Sequence, residues 1–384
     1  MNRYFYGRQS ISSGDIKSVL KSLRSNTISQ GQELNKLEKK VAKYCGAKYC
    51  VAVSSGTAAL HLSVLSLNLK KNFLALTSPI TFVATTNVIL LADGKFDLID
   101  INSKNLNFDP NLFKKYLFDR IKKRLPLPKL VIPVHFGGLS PEMTKIYSLC
   151  KKYNIKIIED ASQSMGGSYM KRRIGSCKFS DLTVFSLHPV KTITSGEGGL
   201  ILTNNKMLYK KILELRINGI QKNSSKSWEH DMKNIGYNYK ISEINCALAN
   251  SQLKRINSFI LKRKKIAKFY TKYLDSKKLF FQEIIPNAKS AWHLFIIIFK
   301  KSLSSRNKNL FYNNLKKKNI FLDVKYRPIQ TFSGYKKKYK FLECKKSADY
   351  FKQSFCLPMH VNLNSKDLKY ICSNINKTID NMKL

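Results

Sequence analysis

Apolar positions in the first half of the chain fall into two alternating patterns: short unbroken runs and helical stripes. The runs at 49–53, 96–101, 131–135, 155–159 and 182–187 each end at turn or polar residues. Runs of this length, bounded in this way, are the mark of strands buried on both faces. Between them lie stripes with helical spacing. Ile16, Val19, Leu20 and Leu23 form one face within 10–25, with Ser12, Ser13 and Asp15 as possible caps. Leu34, Leu37, Val41 and Tyr44 form the next, and 58–69 and 143–153 continue the series. Strand and helix in alternation predict an α/β chain whose ligand crevice lies at the carboxyl ends of the strands.

The pattern changes further on. Residues 242–274 read as one long helical stretch, with Ile244, Ala247, Leu248 and Leu253 as its early apolar positions. Beyond it two strand-like segments, 292–299 and 320–325, stand among helices. The expectation is a large α/β domain over 1–250 and a smaller α+β domain over 251–384. No internal repeat, low-complexity tail or Pro/Gly-rich linker marks the boundary.

Composition alters this picture in one respect. A hydrophobic share of 43% is ordinary for a folded protein of 384 residues and argues against wholesale disorder. The formal net charge of +45 is extreme and raises nucleic acid or an anionic membrane surface as partners. The lysines, however, are scattered over the whole length with only short runs at 262–265, 316–318 and 336–338, and no helix-turn-helix, RNP or zinc pattern accompanies them. The charge therefore reads as a solvated basic face that would draw in an anionic small substrate, with neither nucleic acid nor membrane as partner. The eight cysteines form no pairs of zinc or redox spacing and look like buried thiols. No metal is expected. The first residues are polar and aromatic without an apolar leader segment, and runs such as 294–299 are too short to span a bilayer, so a cytoplasmic location is expected.

The candidate chemistry sits at the ends of the runs. Lys191 follows the strand-like 182–187 and stands alone among small, hydroxylated and apolar residues. An isolated lysine there can lose its proton cheaply and form a Schiff base with an aldehyde, or can be a surface lysine after a strand. Ser55-Gly-Thr57 opens a helix, where free N–H groups and hydroxyls suit a phosphate; a plain helix cap explains it as well. Asp160, at a strand end, could pair with a cationic ring nitrogen or cap the next helix. With Phe82 and Ser186 these supply, in order, the functions pyridoxal phosphate needs: a phosphate cup, a ring stack, a carboxylate and an amine.

In Ser-Gly-Thr-Ala-Ala-Leu60, Glu-Asp-Ala-Ser-Gln163, Phe-Ser-Leu-His-Pro-Val-Lys191, Gly-Glu-Gly-Gly199 and Gly-Tyr-Asn-Tyr239 the sequence resembles the DegT/DnrJ/EryC1/StrS sugar aminotransferases. The likeness runs from Tyr6-Gly-Arg-Gln-Ser-Ile11 to Leu357-Pro-Met-His360, nearly the whole chain. It implies the fold-type I architecture of pyridoxal-phosphate enzymes related to aspartate aminotransferase: a large mixed-sheet α/β/α domain plus a smaller α+β C-terminal domain. It also implies Lys191 as the cofactor's covalent anchor, Asp160 at the pyridine nitrogen, Gln163 near the ring hydroxyl and Phe82 stacked on the ring. Gly56, Thr57 and Ser186 would hold the phosphate, and Asn238 would reach the phosphate of a neighbouring subunit, so a homodimer with shared active sites is implied. Ser29, Gln30, His293 and Tyr326 fall where such enzymes touch the sugar nucleotide.

Ser-Pro-Ile-Thr-Phe-Val-Ala84 and Ser-Ala-Trp-His-Leu294 look like the subgroup that aminates C4 of UDP-4-keto-6-deoxy-N-acetylhexosamines from L-glutamate in pseudaminic acid biosynthesis, ahead of the perosamine, bacillosamine and aminoarabinose types. Lys191 speaks against the related dehydratases, which carry histidine there. Three positions depart from the family's pattern: Lys240 where arginine is common, Lys325 where Val-His-Tyr is usual, and Gln163 where histidine is frequent.

Overall fold

A computed structural model describes residues 2–222 and 228–382. Its centre is a seven-stranded sheet built from β1 (Tyr49–Val53), β2 (Leu74–Thr77), β3 (Lys95–Leu98), β4 (Leu130–Ile132), β5 (Lys156–Asp160), β6 (Leu182–Ser186) and β7 (Gly199–Thr203). The order is β1-β7-β6-β5-β4-β2-β3, with β7 antiparallel to both its neighbours and the other pairings parallel. The unbroken apolar runs follow from this placement, because both faces are covered. Alternate residues go to opposite sides: Leu200 and Leu202 join one core with Phe185 and Val131, while Ile201 joins the other with Val184 and Leu182.

The first core is closed by α2 (Gln32–Cys45), which contributes Leu34, Leu37 and Val41, and by α6 (Met143–Lys152) and α8 (Glu243–Leu253). The second is closed by α3 (Gly56–Ser66), α4 (Ala84–Leu91) and α7 (Lys206–Arg216). All eight cysteines are buried free thiols. Among the described residues no helix is long and apolar enough to cross a membrane.

A second, antiparallel sheet joins β8 (Leu279–Phe281), β9 (Phe295–Phe299) and β10 (Ser354–Leu357) in that order. Only β9 is an apolar run strong enough to read from sequence. The segment expected as a strand over 320–325 is a strand at Ile320–Phe321, where it pairs in parallel with Tyr4–Phe5, and beyond that makes a single bridge from Asp323 to Cys356. That pairing carries Tyr6 toward the large sheet.

Two helical expectations are corrected. The stretch 242–274 is two helices, α8 and α9 (Ile256–Tyr273), broken at Lys254 and Arg255. At the break Arg255 turns back to donate to the Ser10 carbonyl at 3.2 Å and to the Asp15 carboxylate. The first helix, α1 (Ser13–Leu23), has Ser12 as its cap, but its apolar face is not the buried one. Asp15 and Ser22 are buried, while Ile16, Leu20 and Leu23 are exposed. The reason is polar: Asp15 completes a capping box with Ser12 and accepts from Gln252 at 2.8 Å, so the helix packs on α8 through its charged side.

Candidate functional site

The carboxyl ends of β1, β5 and β6 open into a cavity of about 410 Å³. Gly56, Thr57, Phe82, Asp160, Gln163, Ser186, Lys191, His293 and Tyr326 all line it. Parallel strands explain the convergence, since each ends on the same edge of the sheet and hands its next residues to the same crevice.

After β1 the chain turns through Ser55, whose hydroxyl caps α3 by accepting from the Ala58 N–H at 3.0 Å. The first helical N–H groups, at Gly56 and Thr57, have no acceptor inside the helix. They face Ser186 at the end of β6. A side chain at Gly56 would put its Cβ within 2.9 Å of the Ser186 Cβ, so this approach requires glycine. Backbone N–H groups, two hydroxyls and the positive end of a helix dipole thus gather at one point, an arrangement that suits a phosphate monoester.

Asp160 is buried, and each of its oxygens is held. Oδ2 accepts from the Thr85 hydroxyl at 2.7 Å, and Oδ1 accepts from the Ser162 hydroxyl at 2.6 Å and its N–H at 3.2 Å. Thr85 is itself 2.7 Å from the Thr81 hydroxyl, one helical turn earlier. No helix follows Asp160, so the capping alternative fails in its simple form: the carboxylate closes a turn at Ser162 and still faces the cavity. A carboxylate fixed at both oxygens by neutral donors is a ready partner for a cationic ring nitrogen.

Lys191 stands across the cavity, its N–H donating to the His188 carbonyl at 2.9 Å. Burial brings its amine down from the ordinary 10.5 to about 8; Asp160 opposes the shift and Lys325 adds to it. Burial likewise pushes His293 well below the usual imidazole range, with the Lys191 charge contributing, so that ring is neutral. Gln163 donates to the Tyr326 hydroxyl at 3.0 Å while its carbonyl oxygen accepts from the Gly137 N–H at 2.8 Å. Phe82 is 57% exposed at the mouth, its ring free to cover a planar ligand, with Tyr326 tilted against it at 6.1 Å.

Three of the sequence-predicted residues do not line the cavity of the single chain. Asn238 is exposed and accepts from the Lys240 ammonium at 2.6 Å; Ser29 bridges to Ser242; Gln30 is exposed in a left-handed backbone conformation. Conversely the cavity uses Tyr6, Thr81, Thr85, Ser162, His188 and Glu197, none of which the sequence singled out for the site, and Lys325, noted there only as a departure from the family's pattern.

The residues present fit pyridoxal phosphate: a cup for its phosphate, a fixed carboxylate for its ring nitrogen and an amine of lowered pKa for its aldehyde. Fold and site together define a fold-type I pyridoxal-phosphate enzyme. The profile of the DegT/DnrJ/EryC1/StrS aminotransferase family matches residues 9–376, and the chain belongs to that family. It is 35% identical over 379 residues to the UDP-4-amino-4,6-dideoxy-N-acetyl-beta-L-altrosamine transaminase of Campylobacter jejuni, covering 98% of each chain. It is 29% identical over 394 residues to the transaminase of the same name from Helicobacter pylori, covering 100% of each. The structure superposes on Helicobacter pylori PseC, an aminotransferase involved in the biosynthesis of pseudoaminic acid, with a TM-score of 0.91 at 28% identity over 99% of this chain and 100% of that one. A sugar aminotransferase of Streptococcus pneumoniae shares the fold at a TM-score of 0.90 and 23% identity.

Proposed function

We propose that the protein transfers the amino group of L-glutamate to C4 of a UDP-4-keto-6-deoxy-N-acetylhexosamine, UDP-4-keto-6-deoxy-N-acetyl-β-L-altrosamine, in pseudaminic acid biosynthesis. The observation that carries the chemistry is the placement of Lys191, Asp160 and the α3 cup around one cavity. The substrate rests on the full-length likeness to transaminases named for that sugar.

When bound, pyridoxal phosphate supplies an electrophilic aldehyde and a cationic ring that takes up the electron pair of a deprotonated carbon. This chain's own residues do the rest. Lys191 Nζ would hold the aldehyde, and the same nitrogen, when free, would take the proton from the α-carbon of glutamate. An amine whose pKa is about 8 is a base that can both accept and return a proton near neutrality. In the second half-reaction Lys191 gives a proton to C4 of the sugar, and the face on which it stands sets the configuration of the product. Asp160, steadied by Thr85 and Ser162, would keep the ring nitrogen protonated; Gly56, Thr57 and Ser186 would hold the phosphate, Phe82 would cover the ring and Gln163 would stand at its hydroxyl.

The same reading makes the enzyme a cytoplasmic homodimer, with a large cofactor-binding domain over 1–250 and a small one over 251–384. Support for the dimer comes from the exposed apolar residues Ile11, Ile16, Leu20, Leu23 and Ile28, and from the position of Asn238, Ser29 and Gln30 outside the cavity of their own chain. His293 and Tyr326 would meet the sugar nucleotide from within the chain.

The test is a visible spectrum of the purified protein with pyridoxal phosphate. The cofactor band should appear, fade with L-glutamate and return with UDP-4-keto-6-deoxy-N-acetyl-β-L-altrosamine. A band that fades but returns only with a different 4-keto sugar sinks the substrate assignment; no band with any amino donor or sugar sinks the enzyme class.

A further inference from the structure

Two lysines line the cavity, Lys191 and Lys325, with Asp160 and Glu197 as its acids. Lys191 is taken by the cofactor and Asp160 by its ring nitrogen. Lys325 has no such duty. Its setting is a built one. The ammonium lies 2.7 Å from Asp323 Oδ2 and over the rings of Tyr6 at 4.6 Å and Tyr326 at 5.7 Å. Asp323 is tied in turn to Cys356 by two backbone hydrogen bonds, at 2.7 and 3.2 Å. Lys325, Tyr6 and Tyr326 line the cavity and Asp323 does not, so the ion pair stands at the cavity wall with its carboxylate outside the lining.

Burial works against the Lys325 charge, but Asp323 outweighs it and holds the amine above the ordinary lysine value. The cavity therefore contains one amine tuned toward neutrality and a second kept cationic, the second beside Tyr326, whose hydroxyl accepts from Gln163 at 3.0 Å.

Such a fixed cation calls for an anion on the ligand. Under the aminotransferase reading, on which this inference rests, two ligands bring one. The amino donor carries its α-carboxylate on the very carbon that loses a proton to Lys191. The nucleotide sugar carries its diphosphate at C1, across the pyranose ring from the reacting C4. A cation beside Tyr326, which Gln163 ties to the segment carrying Asp160 in the cavity that Lys191 also lines, matches the first placement and not the second. We propose that Lys325 receives the α-carboxylate of the amino-acid donor and so determines that the donor is an α-amino acid.

The test separates the half-reactions in the holoenzyme. Lys325→Gln is loaded with pyridoxal phosphate and discharged with L-glutamate, and separately loaded with pyridoxamine phosphate and recharged with the 4-keto sugar, both followed by the cofactor's visible band. The glutamate concentration for half-saturation should rise roughly 10- to 100-fold, as loss of a charge-assisted hydrogen bond implies. The sugar's should stay within about twofold. 4-Aminobutyrate, which has no α-carboxylate, should react equally with the wild type and the variant. Lys325→Arg should recover part of the glutamate affinity, which a merely structural role would not predict. An unchanged glutamate dependence overturns the inference, and so does equal weakening of both half-reactions. Failure of the wild type itself to discharge with any amino acid would instead remove the aminotransferase reading, and this inference with it.

Discussion

The lowered pKa of Lys191 makes a quantitative prediction about how the cofactor-free protein captures pyridoxal phosphate. Only the neutral amine attacks an aldehyde. With its pKa moved from 10.5 to about 8, about a tenth of the Lys191 side chains are neutral at pH 7, against roughly three in ten thousand for an unshifted lysine. The site therefore holds a roughly 300-fold larger reactive fraction at that pH before any binding of the phosphate is counted. The assay is stopped-flow growth of the cofactor's visible band as a function of pH, divided at each pH by the rate for N-acetyl-lysine amide. Dividing removes the titrations of the cofactor itself. The ratio should be large and flat at low pH, then fall from about pH 8 upward as Lys191 becomes fully neutral while the free amine still gains.

The sign can be tested residue by residue. Asp160 opposes the shift, so Asp160→Asn should move the midpoint to lower pH; Lys325 adds to it, so Lys325→Gln should move the midpoint up. A midpoint for Lys191 capture near that of free lysine would refute the reasoning, and so would an upward shift in Asp160→Asn.

The same burial has a cost in stability. The folded pKa of Lys191 lies below the unfolded one, so protons favour the unfolded chain; the cost is up to about 3 kcal/mol below pH 8 and disappears as pH rises toward 10.5. Lys191→Met should therefore raise the Tm of the cofactor-free protein at pH 7, with the gain shrinking by pH 10; a gain independent of pH would contradict this. Gly56→Ala sets a Cβ against Ser186 and should weaken pyridoxal phosphate binding by about 1–3 kcal/mol. Pyridoxal without its phosphate should lose much less, and equal losses for the two would show that the α3 cup is not the phosphate site. Arg216 pairs with the Glu38 carboxylate at 2.7 Å and donates to the Ala52 carbonyl at 2.9 Å, pinning β1 from behind. Arg216→Met should cost about 3 kcal/mol or more in denaturant unfolding, because Glu38 is left as an unpaired buried charge; an unchanged midpoint would mean that the pair contributes nothing net.

What could be read from the sequence was what the chain encodes locally. Lys191, Asp160, Ser186 and the Gly56-Thr57 turn sit at the ends of apolar runs, and a parallel sheet delivers such ends to one edge without needing to know which strands are neighbours. The strand order itself was not readable, because it depends on pairings between segments as distant as 49–53 and 199–203. The polar lining that completes the site was missed for the same reason. Tyr6 arrives through a two-residue strand paired with Ile320–Phe321, and Lys325 through the bend that follows it. On α1 the local pattern was misleading: amphipathic spacing identifies two faces but not which one meets the protein. There Asp15, satisfied by Ser12 and Gln252, takes the inner side.

The inward face of α1 and the setting of Lys325 have a cause in common. In both places a charged group is held inside by partners remote in sequence, Arg255 for Asp15 and Asp323 with Tyr6 for Lys325. Hydropathy assigns such groups to the surface, since the desolvation they suffer is visible in one segment and the compensation for it in another. Asp15 spends its compensation within the fold, on a capping box and a contact with α8. Lys325 is paired with Asp323 and packed on the Tyr6 ring, yet still lines the cavity. A structural ion pair buried in the fold meets no ligand; Lys325 stands at the wall of the cavity that Lys191 also lines, where a ligand can reach it.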